Sequence, residues 1–441
     1  MSAVVRMESN MVDTHYSPFG YVSSILGDYS TQFLHHPDKV ALLWDNGSRT
    51  YGQLRNRSRK LAAALREMGL QDGDRVGTIL FNRGEIFELY FACAFAGLTL
   101  VPISFRLTPT EIASIVNDCG PKIIFTEPVL ADLLEEALPA VSESPRVVVL
   151  ETNAGGAAFE ALAELGAPIP APIATDIQMI LYTSGSTGRP KGAVMRSVAV
   201  MWCAFQQVAQ FRHFDRESVM LINAPMFNTA AMNESSIPTF LVGGTVAIMP
   251  SRGWSAQRYA EYLELWQVTH SLTFPSMLRD LCQADADARL PLASMRYWYT
   301  GGENCPPALM NEVRRRWPHI RMAVAYGSTE SGMVTFAEDE DIEKHPGSVG
   351  RITPGQSLRL LDSEGREVPT GEVGEVWTAG PSVLTQYWKA PQLDSEAVRN
   401  GWLKIGDLAR IDEDGWIYIV GRTKDLIISK GQNMGLSQTL Q

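Results

Sequence analysis

No two of the five cysteines (Cys93, Cys119, Cys203, Cys282 and Cys305) stand at Cys-x-x-Cys spacing, so the sequence carries no zinc site or disulfide framework. An odd, dispersed set suits a reducing compartment, with each thiol serving as a small buried apolar residue. No apolar run reaches the roughly 20 residues of a membrane-spanning helix. The most apolar stretch, Leu89 to Phe105, is broken by Gly97 and Pro102 and predicts a buried helix followed by a buried strand. The opening "MSAVVRMESNMVDTHYSP" lacks the apolar core of a signal peptide, which makes the cytoplasm the default location. Positive charge is also short. Lys and Arg number 38 against 49 Asp and Glu, a formal net charge of −11, and this argues against a nucleic-acid binder, which should show a basic face. It does not exclude nucleotides, which are held by local N–H groups and a few cations. Internal repeats and low-complexity tracts are missing as well.

What is present is a chain of 441 residues with 45% hydrophobic and 20% charged residues, an ordinary composition for two or three globular domains. Thr50 with Gln53 forms a capping box ahead of a helix whose apolar face is Leu54, Leu61, Leu65 and Met68. Thr108-Pro109-Thr110-Glu111 is a second, with Pro109 at the first helical position. Short apolar runs follow: "RVGTIL" (75–80), "KIIF" (122–125), "RVVVL" (146–150), "MILY" (179–182), "VMLINA" (219–224), "TVAIMP" (245–250), "HSLTF" (270–274) and "MRYWYT" (295–300). Their alternation with helical patterns predicts βαβ units and mostly parallel sheets, an α/β fold. The Ala-, Gly- and Pro-rich stretch 153–176 reads as a surface excursion or junction. From about Val349 short β segments joined by Gly and Asp turns predict a small β-rich subdomain. The expected organisation is an α/β subdomain over 1–175, a second over 176–348, the β-rich unit over 349–422, and a hinge with the start of a further domain over 423–441.

Three segments carry chemistry. The first, "YTSGSTGRPKGAV" (182–194), offers the hydroxyls of Thr183, Ser184, Ser186 and Thr187, the glycines Gly185 and Gly188, and the cation of Lys191. Four residues after Gly185 comes Pro190, and Gly192 follows Lys191, so the NTPase-loop spacing fails. A glycine-rich turn between a strand and a helix beginning near Ser197 still gathers backbone N–H groups on a phosphate. A flexible linker is the bland alternative, which Pro190 beside a cation disfavours. The second, "AYGSTES" (325–331), sets Tyr326 to stack on a base, Thr329 to reach a phosphate and Glu330 to ligate Mg²⁺, or else is a plain turn with a helix cap. The third, "GWLKIGDLARIDEDGWIYIVGRTKDLI" (401–427), sets Asp407 and Arg422 to hold ribose hydroxyls, or else is a hairpin with a surface ion pair.

In this order and at these separations the segments resemble the adenylate-forming superfamily of acyl-CoA synthetases, aryl-CoA ligases, peptide-synthetase adenylation domains and firefly-type luciferases. "TYGQL", "GDRV", "GLTLVPISFRLTPTEI", "GGENCP" and "GEVGEVWTAGPSVLTQYW" extend the likeness over nearly the whole chain, and "FRLTPTEI" is most similar to fatty-acyl and aryl CoA ligases. The resemblance implies that Thr183 to Lys191 holds the β- and γ-phosphates of ATP, with Ser184, Gly185, Ser186, Thr187 and Gly188 between. Gly301, Gly302, Glu303 and Asn304 would line the adenine and acyl pockets, Tyr326 with Gly327 and Ser328 would flank adenine, and Thr329 would contact the α-phosphate. Glu330 would hold Mg²⁺, Asp407 and Arg422 the ribose, and Asp425 would mark a hinge. Asn228, Met232, Asn233, Phe274, Trp298, Tyr299 and Gly301 are candidate walls for the acid, the aromatics having ordinary core packing as their alternative. The implied reaction converts a carboxylic acid to acyl-AMP and pyrophosphate, after which coenzyme A displaces AMP. An acyl-carrier protein as acceptor, a single half-reaction, and a silent nucleotide-binding protein stay open, as does a homodimer.

Three departures from that pattern stand out. Asn228 ends "PMFN" where the superfamily often has an aromatic or His, and "VMRSVAV" (194–200) lacks the His usual after the phosphate loop. After "GRTKDLIISKGQN" the pattern decays, and neither Lys424 nor Lys430 matches the lysine that bridges carboxylate and α-phosphate in the superfamily's C-terminal domain. The expectation is a chain that binds ATP but adenylates slowly.

Overall fold

A computed structural model describes residues 35–151, 156–164, 167–169, 173, 176–183, 190–288, 290, 292–423, 426–429 and 432–435. The predicted apolar runs all become strands, and further strands join them. In chain order these are β1 (Val40–Trp44), β2 (Gly47–Thr50), β3 (Arg75–Ile79), β4 (Thr99–Pro102), β5 (Ile123–Thr126), β6 (Arg146–Val149), β7 (Ile177–Thr183), β8 (Lys191–Arg196), β9 (Val219–Ile222), β10 (Thr245–Ile248), β11 (His270–Leu272), β12 (Tyr297–Thr300), β13 (Arg321–Ser328), β14 (Gly332–Glu338) and β15 (Arg351–Ile352). One sheet has the order β6-β5-β3-β4-β7-β8 and is parallel except for the edge pair β7–β8. The other has nine strands in the order β15-β14-β13-β12-β11-β9-β10-β1-β2, with a parallel centre and antiparallel edges. Neither sheet is contiguous in sequence. The early pair β1–β2 lies against β10, and the later pair β7–β8 closes the first sheet beside β4.

Both capping boxes form. Thr50 accepts from the Gln53 backbone at the head of the helix Tyr51–Glu67, and Thr108 accepts from Glu111 at the head of Pro109–Cys119 with Pro109 in its first turn. The run Leu89–Phe105 divides as expected into the helix Glu85–Ala96, buried at every position, and the buried β4. Gly97 ends that helix in the left-handed region at φ 66°, a geometry glycine adopts without penalty. Phe87 and Phe91 of this helix meet Phe240 edge-on at ring-centroid distances of 5.2 and 5.5 Å. One apolar cluster thereby runs through residues of both sheets. Its charged rim is Glu88, fully buried, which accepts from Arg49 Nε at 2.8 Å and Arg57 Nε at 2.9 Å. No helix among the described residues is long and apolar enough to cross a membrane.

A third, antiparallel sheet is built from β16 (Ser357–Leu361), β17 (Gly374–Ala379), β18 (Val398–Arg399), β19 (Trp402–Ile411) and β20 (Ile417–Arg422). It packs its small core of Leu360, Val376, Ala409 and Ile417 beside Tyr326 and Val349. Two sequence readings need correction. The stretch 153–176 is not merely a surface excursion, because it contains the helix Gly156–Glu164, whose Phe159 is fully buried and whose Glu160 forms a two-pronged pair with Arg57 at 2.9 Å. An Ala-rich composition suits a helix as well as a linker once tertiary contacts stabilise it. The glycine-rich loop, in turn, does not run from a strand into a helix. Lys191 begins β8, which pairs with β7 in antiparallel register from Thr183↔Lys191 to Ile177↔Arg196. The helix Ser197–Gln210 starts only after that strand.

Candidate active site

In parallel sheets, ligand sites form beyond the carboxyl ends of the strands. Here β9, β11, β12 and β13 end together, and two cavities open at that edge, of about 650 Å³ and about 520 Å³. Both are lined by Gly302, Ala325, Tyr326, Gly327 and Arg422, so they join around Tyr326. Two glycines are needed for the backbones to come this close. A Cβ on Gly301 would stand 2.5 Å from the Ala325 carbonyl oxygen, and one on Gly327 would stand 1.8 Å from that of Gly332.

The smaller cavity holds the predicted ribose pair. Asp407 on β19 and Arg422 on β20 are cross-strand partners, and Arg422 Nε lies 3.1 Å from Asp407 Oδ1. This is the expected hairpin, but its carboxylate is not at the surface, since Asp407 is 6% exposed. Tyr326 Oη donates to the other oxygen, Oδ2, at 2.8 Å. Burial first, then the Asp407 carboxylate, pushes the Tyr326 phenol well above its ordinary value, which keeps it a hydrogen-bond donor. Glu303 and Asn304 also line this cavity, and Glu303 accepts from the backbone N–H and hydroxyl of Ser276 at 3.3 and 3.2 Å.

The larger cavity is lined by Thr183, Lys191, Asn228, Phe274, Tyr299, Gly301, Ser328, Thr329 and Glu330, bringing residues from three of the predicted segments to one wall. Glu330 sits in the tight turn between β13 and β14, so the second segment is a hairpin tip with no helix cap. Ser331 Oγ closes that turn on the Ser328 N–H at 2.8 Å, and Leu384 N donates to the Glu330 carbonyl at 2.6 Å. The Glu330 carboxylate accepts on Oε1 from Thr183 Oγ1 and from Tyr387 Oη, each at 3.3 Å. Its Oε2 makes no hydrogen bond among the described residues. No cluster of three or more His, Cys, Asp or Glu suited to a metal ion exists among them either. A hard divalent cation fits here only as an ion carried in with phosphate oxygens and held by one carboxylate, the usual mode for Mg²⁺. Lys191 Nζ lies 5.8 Å from the ring centroid of Tyr387 and has no carboxylate partner among the described residues.

Of the predicted phosphate-loop residues, Ser184, Gly185, Ser186, Thr187 and Gly188 lie outside the described residues, as does Asp425. Among the proposed walls, Met232, Asn233 and Trp298 do not line the cavity. All three are buried in the interior, where Asn233 Oδ1 accepts from Tyr90 Oη and Trp298 Nε1 donates to Tyr259 Oη at 3.0 Å. The alternation of a strand explains Trp298: with Tyr299 facing the cavity, its neighbour must face the other side of the sheet. The lining residues that escaped the sequence reading include Tyr387, Gln207 and Glu234. Tyr387 lies in the "LTQYW" segment, where nothing local separates it from Trp388. Glu234 did leave a signal, as it is the only charged residue between Glu217 and Arg252.

Residues 30–388 match the family described as AMP-binding enzyme. The chain is 29% identical over 403 residues to the indoleacetate–CoA ligase of Aromatoleum aromaticum, covering 90% of this chain and 78% of that one. It is 30% identical over 408 residues to the fatty acid–acyl-carrier-protein ligase ScoC of Streptomyces coeruleorubidus, covering 91% of this chain and 77% of that one. Among solved structures, ATP-bound MatB from Rhodopseudomonas palustris matches with a TM-score of 0.83 at 27% identity, over 94% of this chain and 82% of that one.

Proposed function

This chain belongs to the AMP-binding enzyme family, and from that premise we propose how its site activates a carboxylic acid with ATP and passes the acyl group to coenzyme A. In the first half-reaction a carboxylate oxygen of the acid attacks the α-phosphorus. The acyl–phosphate bond forms as the bond to the β-phosphate breaks, and pyrophosphate leaves. In the second, the thiolate attacks the acyl carbon, the thioester forms, and AMP departs with the electron pair of the broken C–O bond. Neither step needs a protein nucleophile. Both need reactants held in line and negative charge neutralised where it gathers.

The residues divide that work. Thr183 and Lys191 face the β- and γ-phosphates, with Lys191 as the mobile point charge that stabilises departing pyrophosphate. Thr329 reaches the α-phosphate. Glu330 would hold Mg²⁺, which shields phosphate charge when bound. Tyr387, bonded to Glu330 and stacked beneath Lys191, keeps the two opposite charges apart from direct contact. Tyr326 flanks adenine, and Asp407 with Arg422 takes the ribose hydroxyls. Asn228, Phe274, Tyr299 and Gly301 border the acid.

The observation that carries this reading is the Tyr326–Asp407–Arg422 array, which joins the nucleoside cavity to the wall bearing Thr329, Glu330 and Lys191. ATP–pyrophosphate exchange tests it. With a panel of fatty and aryl acids, exchange is expected for at least one acid, with losses of 100-fold or more in Glu330→Gln and Asp407→Asn. Undiminished exchange in both variants would overturn the assignment. The likeness to a carrier-protein ligase supports a second acceptor, an acyl-carrier-protein thiol. Hydroxylamine trapping of the acyl adenylate, run beside thioester assays with coenzyme A and with carrier protein, separates the two.

A further inference from the structure

The helix Ser197–Gln210 and the π-helical turn Ala230–Ser236 bring two polar side chains, Gln207 and Glu234, to the lining of the larger cavity. Glu234, on that turn, lines the cavity and makes no hydrogen bond or ion pair among the described residues. Gln207, on the facing helix and 1% exposed, lines it too. Its Nε2 donates to Cys203 Sγ at 3.4 Å, and its Oε1, enclosed by protein, has no partner among the described residues. Ser235 Oγ donates to the Ala230 carbonyl at 2.7 Å, so Tyr299 Oη donates to Ser235 and is not free for Glu234. The apolar part of the lining includes Phe211, Leu272, Phe274 and Met333, and Asn228 and Thr229 line the cavity too, neither bonded to Glu234 among the described residues.

An unpaired acceptor in a poorly solvated wall is disfavoured, and a charged one more so. No cation among the described residues offsets it, and burial alone takes the Glu234 carboxyl up to about 7. Lys191 and Glu330, on the phosphate side, do not contribute. A substrate acid must also keep its own carboxylate away from Glu234, because like charges repel in a poorly solvated site. Only the far end of the acyl group can therefore meet Glu234.

Resting on the acid-activating reading above, we propose that the acyl group taken here carries a hydrogen-bond donor, a hydroxyl or an amine, at the end remote from its carboxylate, and that Glu234 selects for it. A plain hydrocarbon end would leave the Glu234 carboxylate without a partner. A site built to bond a polar group rejects the analogue lacking it far more strongly than an apolar pocket rejects an extra methylene.

The test uses matched acids on two scaffolds: hexanoic, 6-hydroxyhexanoic and 6-aminohexanoic acids, and 3-phenylpropanoic acid with its 4-hydroxy and 4-amino forms. Pyrophosphate release in the presence of hydroxylamine gives kcat/KM for each, and calorimetry with ATP gives acid affinity. On at least one scaffold, wild-type protein is expected to favour a donor-bearing acid over the plain one by tenfold or more. Glu234→Leu should bring the acids within about twofold by improving the plain one, an effect that misfolding cannot produce. Glu234→Gln keeps an acceptor and should retain hydroxyl preference while losing any preference for the amine. Equal use of plain and donor-bearing acids on both scaffolds by wild-type protein overturns the inference alone. Pyrophosphate release from no acid, with no acid bound by calorimetry, overturns the acid-activating reading and the inference with it.

Discussion

Replacing Glu234 by Gln removes a charge and preserves the shape of the side chain, so its effect on stability follows from where the carboxyl titrates. Burial raises it from 4.5 to about 7 in the folded protein. The unfolded chain thus releases this proton more readily, and folding of the wild-type protein is penalised increasingly as pH rises from 4.5 through 7. Below 4.5 the penalty vanishes, and above 7 it is complete. At about 1.36 kcal/mol per pH unit, the complete penalty is on the order of a few kcal/mol. Part of it is present at pH 6 and nearly all of it at pH 8.5. Glu234→Gln should therefore be the more stable protein at both pH values, by a margin that grows by about 1 kcal/mol between them. Urea unfolding followed by tryptophan fluorescence, on both proteins at pH 6 and pH 8.5, measures the two margins. A margin that does not change with pH, or a wild-type protein that is the more stable at pH 8.5, refutes the reasoning. Such a result would mean that the carboxylate is solvated or paired, and the polar end of the acyl cavity would then have no unmet acceptor.

Three further outcomes are expected. Tyr326→Phe removes the hydroxyl that donates to Asp407, a bond to a charged group worth about 1.5–3 kcal/mol, and steady-state kinetics should show KM for ATP rising at least tenfold with the fold intact. Glu88→Ala leaves Arg49 and Arg57 half-paired in the interior, and chemical denaturation should register a loss of about 3–5 kcal/mol, larger than the loss from Glu160→Ala at the partly exposed end of the same network. Burial pushes the thiols of Cys119 and Cys203 up to about 12 and those of Cys282 and Cys305 to about 11, so native labelling with a disulfide reagent at pH 8 should be slow at all four and become fast in urea.

Much of the fold was legible because its signals are local. Thr50 and Gln53, or Thr108 and Glu111, cap a helix through atoms three residues apart. "MILY" and "TVAIMP" declare buried strands by composition alone, since parallel strands covered on both faces have no polar side. The loop geometry was less legible. A glycine-rich stretch after a strand permits either a helix or a returning strand, and the pairing of Thr183 with Lys191 is decided by β8 finding its place on β7. Trp298 and Tyr299 are adjacent aromatics that the sequence cannot tell apart. Only the orientation of β12 in its sheet sends one to the core and the other to the cavity.

The sequence by itself determined the chemistry available: a cation beside glycines and hydroxyls, an acid after Thr329, an Asp and an Arg set apart along the chain, and a lone carboxylate in an apolar stretch. These depend on residue identity and spacing, which need no partner. The tertiary structure decided what each group meets. Tyr326, Asp407 and Arg422 come from three strands in two sheets, and Tyr387 reaches Glu330 from a segment 57 residues away. It also decided that Glu234 lines the cavity with no hydrogen-bond partner among the described residues, because whether a polar group is satisfied is a property of its neighbours in space.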